Sequence, residues 1–198
     1  MAEKVWSKSR KVMGNLLPAI LCLPLLVLGL ITFKPDRPLD SPAIWFFIAF
    51  PIVGWISLNF LGFYQNSFMK RELMRRLGLF GSKAGPPTQF VGVARPRFRS
   101  SLDPHEDVGF LLIKPDRLEF LGETVQVNFE KKDIRRIRTR ANPHTWVFLG
   151  RWISIEGEAA GTPVRLLIEP REKATLLGNL LYSERLKDEL IAWAKSKP

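Results

Sequence analysis

The stretch that decides the architecture is VMGNLLPAILCLPLLVLGLITF, residues Val12–Phe33, which runs for 22 positions without a charged side chain. A helix rises about 1.5 Å per residue, so a run of this length extends roughly 33 Å and matches the hydrocarbon core of a bilayer. The apolar region of a cleaved signal peptide is shorter, and no small-residue cleavage site closes this run. The sequence therefore predicts a retained transmembrane helix over 12–33.

A second uncharged run, AIWFFIAFPIVGWISLNFLGFY, covers Ala43–Tyr64. Trp45 and Tyr64 lie near its two ends, where amphipathic rings favour the membrane interface. The intervening KPDRPLDSP contains three prolines and leaves no room for a further element. The pattern predicts an antiparallel transmembrane hairpin over 12–64, with helices at 12–33 and 43–64.

Lys and Arg flank the two runs unevenly. Four lie in the basic N-terminal segment 1–11, two in the connection, and five between Tyr64 and Thr88. Because short cytoplasmic flanks are rich in Lys and Arg, both termini are expected in the cytoplasm. We therefore expect a multi-pass integral membrane protein of the kind found in bacterial inner membranes.

The net charge of +11 is concentrated beside these runs. Before Thr88 there are 11 Lys and Arg against 4 Asp and Glu, and from Thr88 onward 19 against 15. This distribution suits anionic lipid head groups, whereas a nucleic-acid partner would favour a basic folded domain. Cys22 is the single cysteine, so an internal disulfide is excluded. Membrane lipids and other membrane proteins are the expected partners, and nucleic acid is not.

The segment 65–87 reads as a basic amphipathic helix followed by a Gly- and Pro-rich linker. Met69, Leu73, Leu77 and Phe80 recur at helical spacing. The basic residues between them are Lys70, Arg71, Arg75 and Arg76. The simplest interpretation is that the second membrane helix continues along the interface, where these four residues contact acidic lipids. A helix that binds a protein partner is the alternative.

From Thr88 the pattern changes to short alternating runs bounded by turn residues, such as Val108–Ile113 and Thr124–Phe129. Lys173–Lys195 has leucines at helical spacing, and Trp193 is predicted to pack into the core. Residues 88–198 are thus predicted to form an α+β domain, mainly antiparallel β. We expect a small barrel or bent sandwich whose open end is capped by the C-terminal helix and which folds without the hairpin.

The run GFLLIKPDRLEFLGETVQVNFEKKDIRRI, Gly109–Ile137, resembles pleckstrin-homology-like (PH-like) domains of the GRAM and bacterial types. A strand beginning with Gly leads to a turn at Asp116 and a Leu-x-Phe, and Asp-Ile-x-x-Ile begins at Asp133. The resemblance covers 88–196 and implies a PH-like barrel with a capping helix from Lys173. It implies a binding or scaffold role and carries no catalytic residues.

The most distinctive segment of this domain is KKDIRRIRTR, residues 131–140. Alternation along a strand places three of its arginines on one face at intervals of about 7 Å. The candidate residues for binding a lipid head group or an acidic partner are Lys131, Lys132, Arg136, Arg138 and Arg140. The alternative is a charged strand edge in water, paired with the nearby Glu119, Glu130 and Asp133.

Signals for enzyme, metal or cofactor chemistry are missing from the sequence. His105 and His144 each adjoin a proline without a second ligand at metal-binding spacing, so both are predicted at the surface. Motifs for a nucleophile, a phosphate-binding loop or a dinucleotide site do not occur. Within the apolar runs, Asn15 and Asn59 are expected to hydrogen-bond between the helices.

These observations leave two classes of function. The first is a membrane-anchored binding or scaffold module that recruits a protein partner or an anionic lipid head group at the cytoplasmic face. The alternative is an accessory or assembly subunit of a larger membrane protein complex. An enzyme is not expected.

Overall fold

The computed structural model describes residues 4–79, 88–94 and 105–196. Two of its helical stretches, Lys8–Thr32 and Ala43–Arg76, are long and apolar enough to cross a membrane. The first is helix α1. The second contains α2 (Ala43–Leu61) and α3 (Asn66–Arg76).

Helices α1 and α2 pack as the predicted antiparallel hairpin. A Cβ atom added to Gly14 would lie 2.7 Å from the carbonyl oxygen of Gly62, so the two backbones touch at the domain end. Further along, Gly54 lies against Cys22. At the far end the hydroxyl of Ser41 donates to the carbonyl of Thr32, 2.9 Å away, and fastens the connection.

The predicted continuous second helix is interrupted between α2 and α3. Gln65 adopts a left-handed backbone with φ 56°, and α3 starts at the next residue. The apolar face of α3 turns towards the protein, because Met69 and Leu73 are buried against the sheet. Phe80 and the Gly- and Pro-rich linker lie outside the described residues.

Within the described residues, seven strands form one antiparallel sheet in the order β4-β3-β2-β1-β7-β6-β5. The strands are β1 (Thr88–Ala94), β2 (Asp107–Ile113), β3 (Arg117–Gly122), β4 (Gln126–Glu130), β5 (Ile134–Arg140), β6 (Trp152–Ala159) and β7 (Thr162–Pro170). Two meanders, β1–β4 and β5–β7, are therefore joined where β1 pairs with β7. The antiparallel β prediction is confirmed, but the sheet is not closed into a barrel.

The two edge strands, β4 and β5, are consecutive in sequence and are separated by one short turn, Lys131–Asp133. The space inside the curved sheet is filled instead by the C-terminal helix α4 (Leu176–Lys195). Leu186 and Leu190 of α4 join a core supplied by both meanders, including Phe120 from β3 and Ile155 from β6. The helix predicted over 173–195 thus covers the sheet as expected.

The opposite face of the sheet is covered by segments that precede Thr88. The hydrophobic cluster on this face consists of Val5, Trp6, Met69 and Leu73 from the helical region and Phe90, Val108, Phe110 and Leu112 from β1 and β2. A domain boundary at residue 88 consequently passes through a shared hydrophobic cluster. The predicted domain and the hairpin are packed together.

Candidate functional site

The arginine-rich strand β5 forms one charged face with the neighbouring strands. Glu156 of β6 accepts from three guanidinium groups, with its Oε1 atom 2.7 Å from Arg138, 3.2 Å from Arg140 and 3.1 Å from Arg165. Arg136 is exposed and lies opposite Glu156 in the strand register. We call the four side chains Arg136, Arg138, Arg140 and Arg165 the arginine face.

The arginine face carries more positive than negative charge. Hydrogen bonds from Arg138 and then Arg140 outweigh the effect of burial and lower the pKa of Glu156 to about 2. Glu156 is therefore ionised at neutral pH, yet this one carboxylate pairs with three guanidinium groups, and the exposed Arg136 lies beside them. The local carboxylates expected from the sequence are used elsewhere, since Glu119 pairs with Lys114 and Arg117.

The arginine face extends away from the hairpin. Arg140, at one end, lies opposite Trp152, whose ring packs on His105 with centroids 5.1 Å apart at the junction with the helices. Arg136 is four residues further along β5, roughly 13 Å from Arg140. The arginines of β5 are therefore spread along the strand from the junction outward.

The two lysines of the predicted site lie apart from these arginines. Lys131 donates to the hydroxyl of Ser196, 2.9 Å away, and its ammonium is 5.3 Å from the centre of the Trp193 ring. Both contacts are with the end of α4, on the core side of the sheet. Lys132 pairs with Glu130 at 2.8 Å. The structure brings the arginines together and separates the lysines from them.

The basic residues predicted to contact lipid are divided between protein and solvent. Lys70 forms an ion pair with Glu172, and Arg76 contacts Glu123 at 3.1 Å. These pairs hold α3 on the domain. The exposed basic residues of the helix are Arg71, Arg75 and Arg76. The apolar residues Met69 and Leu73 of α3 are packed on the sheet rather than facing lipid.

A buried polar cluster at the junction corrects the prediction that both histidines lie at the surface. His105 is 1% exposed, and its Nε2 atom lies 3.1 Å from the Oε2 atom of Glu169, which is 2% exposed. His144 contacts the other carboxylate oxygen at 3.8 Å, and the Asn142 amide donates to that oxygen at 2.8 Å. Glu169 is thus enclosed by donors from two loops.

The cluster continues into the helices through aromatic and cationic contacts. The carbonyl of His105 accepts from the indole of Trp6 at 3.1 Å and from the ammonium of Lys11 at 2.8 Å. Arg171 is 1% exposed and lies between the rings of Trp6 and Phe63, with its guanidinium carbon 4.7 and 4.2 Å from their centres. This junction cluster, His105, Asn142, His144, Glu169 and Arg171, joins the sheet to the helices.

The charge on Glu169 is held by its partners. Burial raises its pKa, but the neighbouring imidazoles of His105 and His144 outweigh burial and lower the pKa to about 2. Within residues 4–79, 88–94 and 105–196, no group of three or more His, Cys, Asp or Glu is arranged to hold a metal ion. One feature of the sequence does point to this cluster: Glu169 directly follows the apolar run Leu166–Ile168. A charged residue in a buried strand requires a polar partner.

Two comparisons with known proteins were made, and neither assigns the chain to a family. A scan of protein-family models found no family that matches the chain, and a search of curated proteins found no matching relative.

Proposed function

We propose that this protein is a membrane-anchored binding module of non-enzymatic type. Both helices of the hairpin cross the membrane, and the termini and the sheet domain lie in the cytoplasm, where the surplus of flanking Lys and Arg favours them. Two antiparallel meanders covered by a C-terminal helix support the PH-like assignment. The domain recruits an acidic partner to the membrane surface.

The arginine face carries this proposal. Three of its guanidinium groups share one protein carboxylate, and the side chains of these three, Arg138, Arg140 and Arg165, remain 32, 35 and 41% exposed. Guanidinium groups bind carboxylates and phosphates through paired, charge-assisted hydrogen bonds. The unneutralised charge therefore suits a ligand that carries several acidic groups.

The geometry favours an acidic protein segment over a lipid head group. The arginine face runs away from the junction along β5, and its outer end, Arg136, is roughly 13 Å from Arg140. Salt screens charges over roughly 10 Å, so lipid head groups at the junction would attract this end only weakly. β5 is also an edge of the sheet. An extended acidic segment beside β5 could pair with the free strand edge while its carboxylates meet the arginines.

A direct binding measurement tests this function. The full chain in neutral-lipid nanodiscs is titrated with a fluorescent hexaglutamate peptide, and binding is followed by anisotropy at low and high salt. We expect salt-sensitive binding to the wild-type protein. The triple variant Arg136→Gln, Arg138→Gln, Arg140→Gln should bind about tenfold more weakly or worse, equivalent to at least about 1.4 kcal/mol.

The matched control removes the same charge from other surfaces, through Arg71→Gln, Arg75→Gln and Arg185→Gln. This variant should keep the wild-type affinity. Equal losses in both triple variants would show that only net charge matters and would reject the arginine face as a site. In a parallel native mass spectrometry experiment, loss of retained phosphatidylglycerol in the β5 variant alone would assign the site to lipid. No binding in either assay would leave the accessory-subunit hypothesis.

A further inference from the structure

The loop between β5 and β6 exposes large aromatic side chains beside the hairpin. Trp146 is 88% exposed and Phe148 is 78% exposed, with Val147 between them. We call these three residues the aromatic loop. Apolar rings presented to this extent mark a surface that another apolar phase covers.

The aromatic loop is attached to a helix that is apolar enough to cross a membrane. The indole of Trp55 in α2 donates to the carbonyl of Val147 at 2.9 Å. Trp55 follows Gly54, which lies against Cys22 of α1. Cys22 is roughly 16 Å along α1 from Lys11, the last charged residue before the apolar run. The loop thus lies deeper along the hairpin than its charged end.

The backbone of the aromatic loop is suited to a low-dielectric surrounding. The N–H of Phe148 donates to Thr145 at 3.1 Å, and the N–H of Leu149 donates to His144 at 3.0 Å. The carbonyl of Val147 has its partner in Trp55. Polar backbone groups in contact with lipid must be paired within the protein, and these groups are paired.

We propose that the aromatic loop is embedded in the membrane leaflet on the domain side, beside α2, as a third membrane-contacting element. This inference rests on the hairpin crossing the membrane, which is part of the proposed function, and is independent of the arginine face. Trp and Phe side chains favour this depth because their rings leave water while the indole N–H stays near polar groups. The loop would thereby fix the tilt of the domain relative to the membrane.

The test places a nitrobenzoxadiazole label on single cysteines in the full chain, in a Cys22→Ala background, within nanodiscs. Trp146→Cys and Phe148→Cys probe the loop. Ala160→Cys is the control, because it is exposed and follows β6 at the end opposite Trp152, roughly 26 Å from the junction. Labels in the loop should lose most of their emission to lipids with brominated acyl chains and resist aqueous iodide.

The control label at residue 160 should show the reverse pattern. Quenching by brominated lipid at either loop position supports the embedded loop. Iodide quenching without any brominated-lipid effect at both positions would overturn it, and would mean that the rings face water or await a protein. The peptide-binding assay for the arginine face is unaffected by either result, so the two proposals fail separately.

Discussion

At the scale of single residues, Glu169 shows how a carboxylate is kept charged inside the junction. Its oxygens meet His105, His144 and Asn142, and none of these partners is close to it in sequence. An ion buried without such partners costs several kcal/mol, so the cluster can exist only when the loops and β7 are assembled. The junction is therefore a point at which folding of separate segments is coupled.

Replacing Glu169 tests this coupling and has a defined pH dependence. We expect Glu169→Gln to lower the free energy of unfolding by about 1–3 kcal/mol near pH 6, because it removes a carboxylate acceptor from the buried donors around it. The folded-state pKa is lowered from 4.5 to about 2, so the stabilisation is complete above pH 4.5 and is lost as the pH falls through 2.

The measurement is thermal melting of the full chain in detergent between pH 6 and pH 2.5, for the wild type and the variant. The gap between the two proteins should narrow as the medium is acidified below pH 4.5. Glu189→Gln is the control, since Glu189 pairs with Arg185 at the surface and should change stability little. A gap that does not depend on pH would reject the ionic role of Glu169.

At the scale of elements, α2 contacts the domain along one stripe. Trp55, Leu58, Asn59 and Gly62 follow helical spacing and meet the aromatic loop, Leu149 and the start of α4. Asn59 does not serve as the predicted link between membrane helices. Its side-chain oxygen accepts from the backbone N–H of Leu177 at 2.9 Å, so it caps the first turn of α4.

Removing this cap should loosen the start of α4. Asn59→Leu keeps the helix apolar but leaves a buried backbone N–H without its acceptor, which costs about 1–3 kcal/mol. We expect faster hydrogen exchange in the peptide that spans Thr175–Tyr182, measured by mass spectrometry on the full chain. Phe60→Leu is the control because Phe60 is 62% exposed on the same helix. Equal exchange in both variants would argue against the cap.

The elements differ in how far the sequence predicts them. The hairpin and the antiparallel strands follow from local patterns of apolar residues, and both are found in the structure. Helix α3 has the same amphipathic pattern whether lipid or protein covers Met69 and Leu73, so only the fold shows that the sheet covers them. Closure of the sheet into a barrel also depends on the register of distant strands, which local patterns do not specify.

The candidate sites are likewise predicted from sequence only where they depend on local patterns. Alternation along β5 placed Arg138 and Arg140 on one face, as the structure has them. Their partner Glu156 could not be chosen from the sequence, because the nearer Glu130 is equally acidic and only the β5–β6 pairing selects Glu156. Five strands separate His105 from Glu169 in the sequence, so no spacing rule reveals their contact.

At the scale of the whole molecule, the hairpin and the sheet domain form one packed unit. The N-terminal Val5 and Trp6 cover the sheet, and both backbone N–H groups of this pair donate to the carboxylate of Glu123, at 2.8 and 3.0 Å. The N-terminal residues therefore bind the turn between β3 and β4, which is distant in the sequence. A partner bound at the arginine face would be held at a fixed position relative to the hairpin.

The extent of this shared packing can be measured by truncation. A fragment of residues 88–198 uncovers Phe90, Val108, Phe110 and Leu112, and each large apolar side chain returned to water costs about 1.5–3 kcal/mol. That loss is comparable to the whole stability of a typical domain, about 5–15 kcal/mol. The shared packing therefore argues against the prediction from sequence that residues 88–198 fold without the hairpin.

The matched fragment 63–198 retains α3 and Phe63, so Met69 and Leu73 still cover the sheet. We expect 63–198 to melt cooperatively in detergent-free buffer, and 88–198 to bind a hydrophobic dye and melt at a lower temperature or without cooperativity. Restoring Val5 and Trp6 in the full chain should add further stability, because the indole of Trp6 also closes the junction through His105. Identical cooperative melts of the two fragments would show that the sheet and α4 are sufficient, and that α3 rests on a surface stable without it.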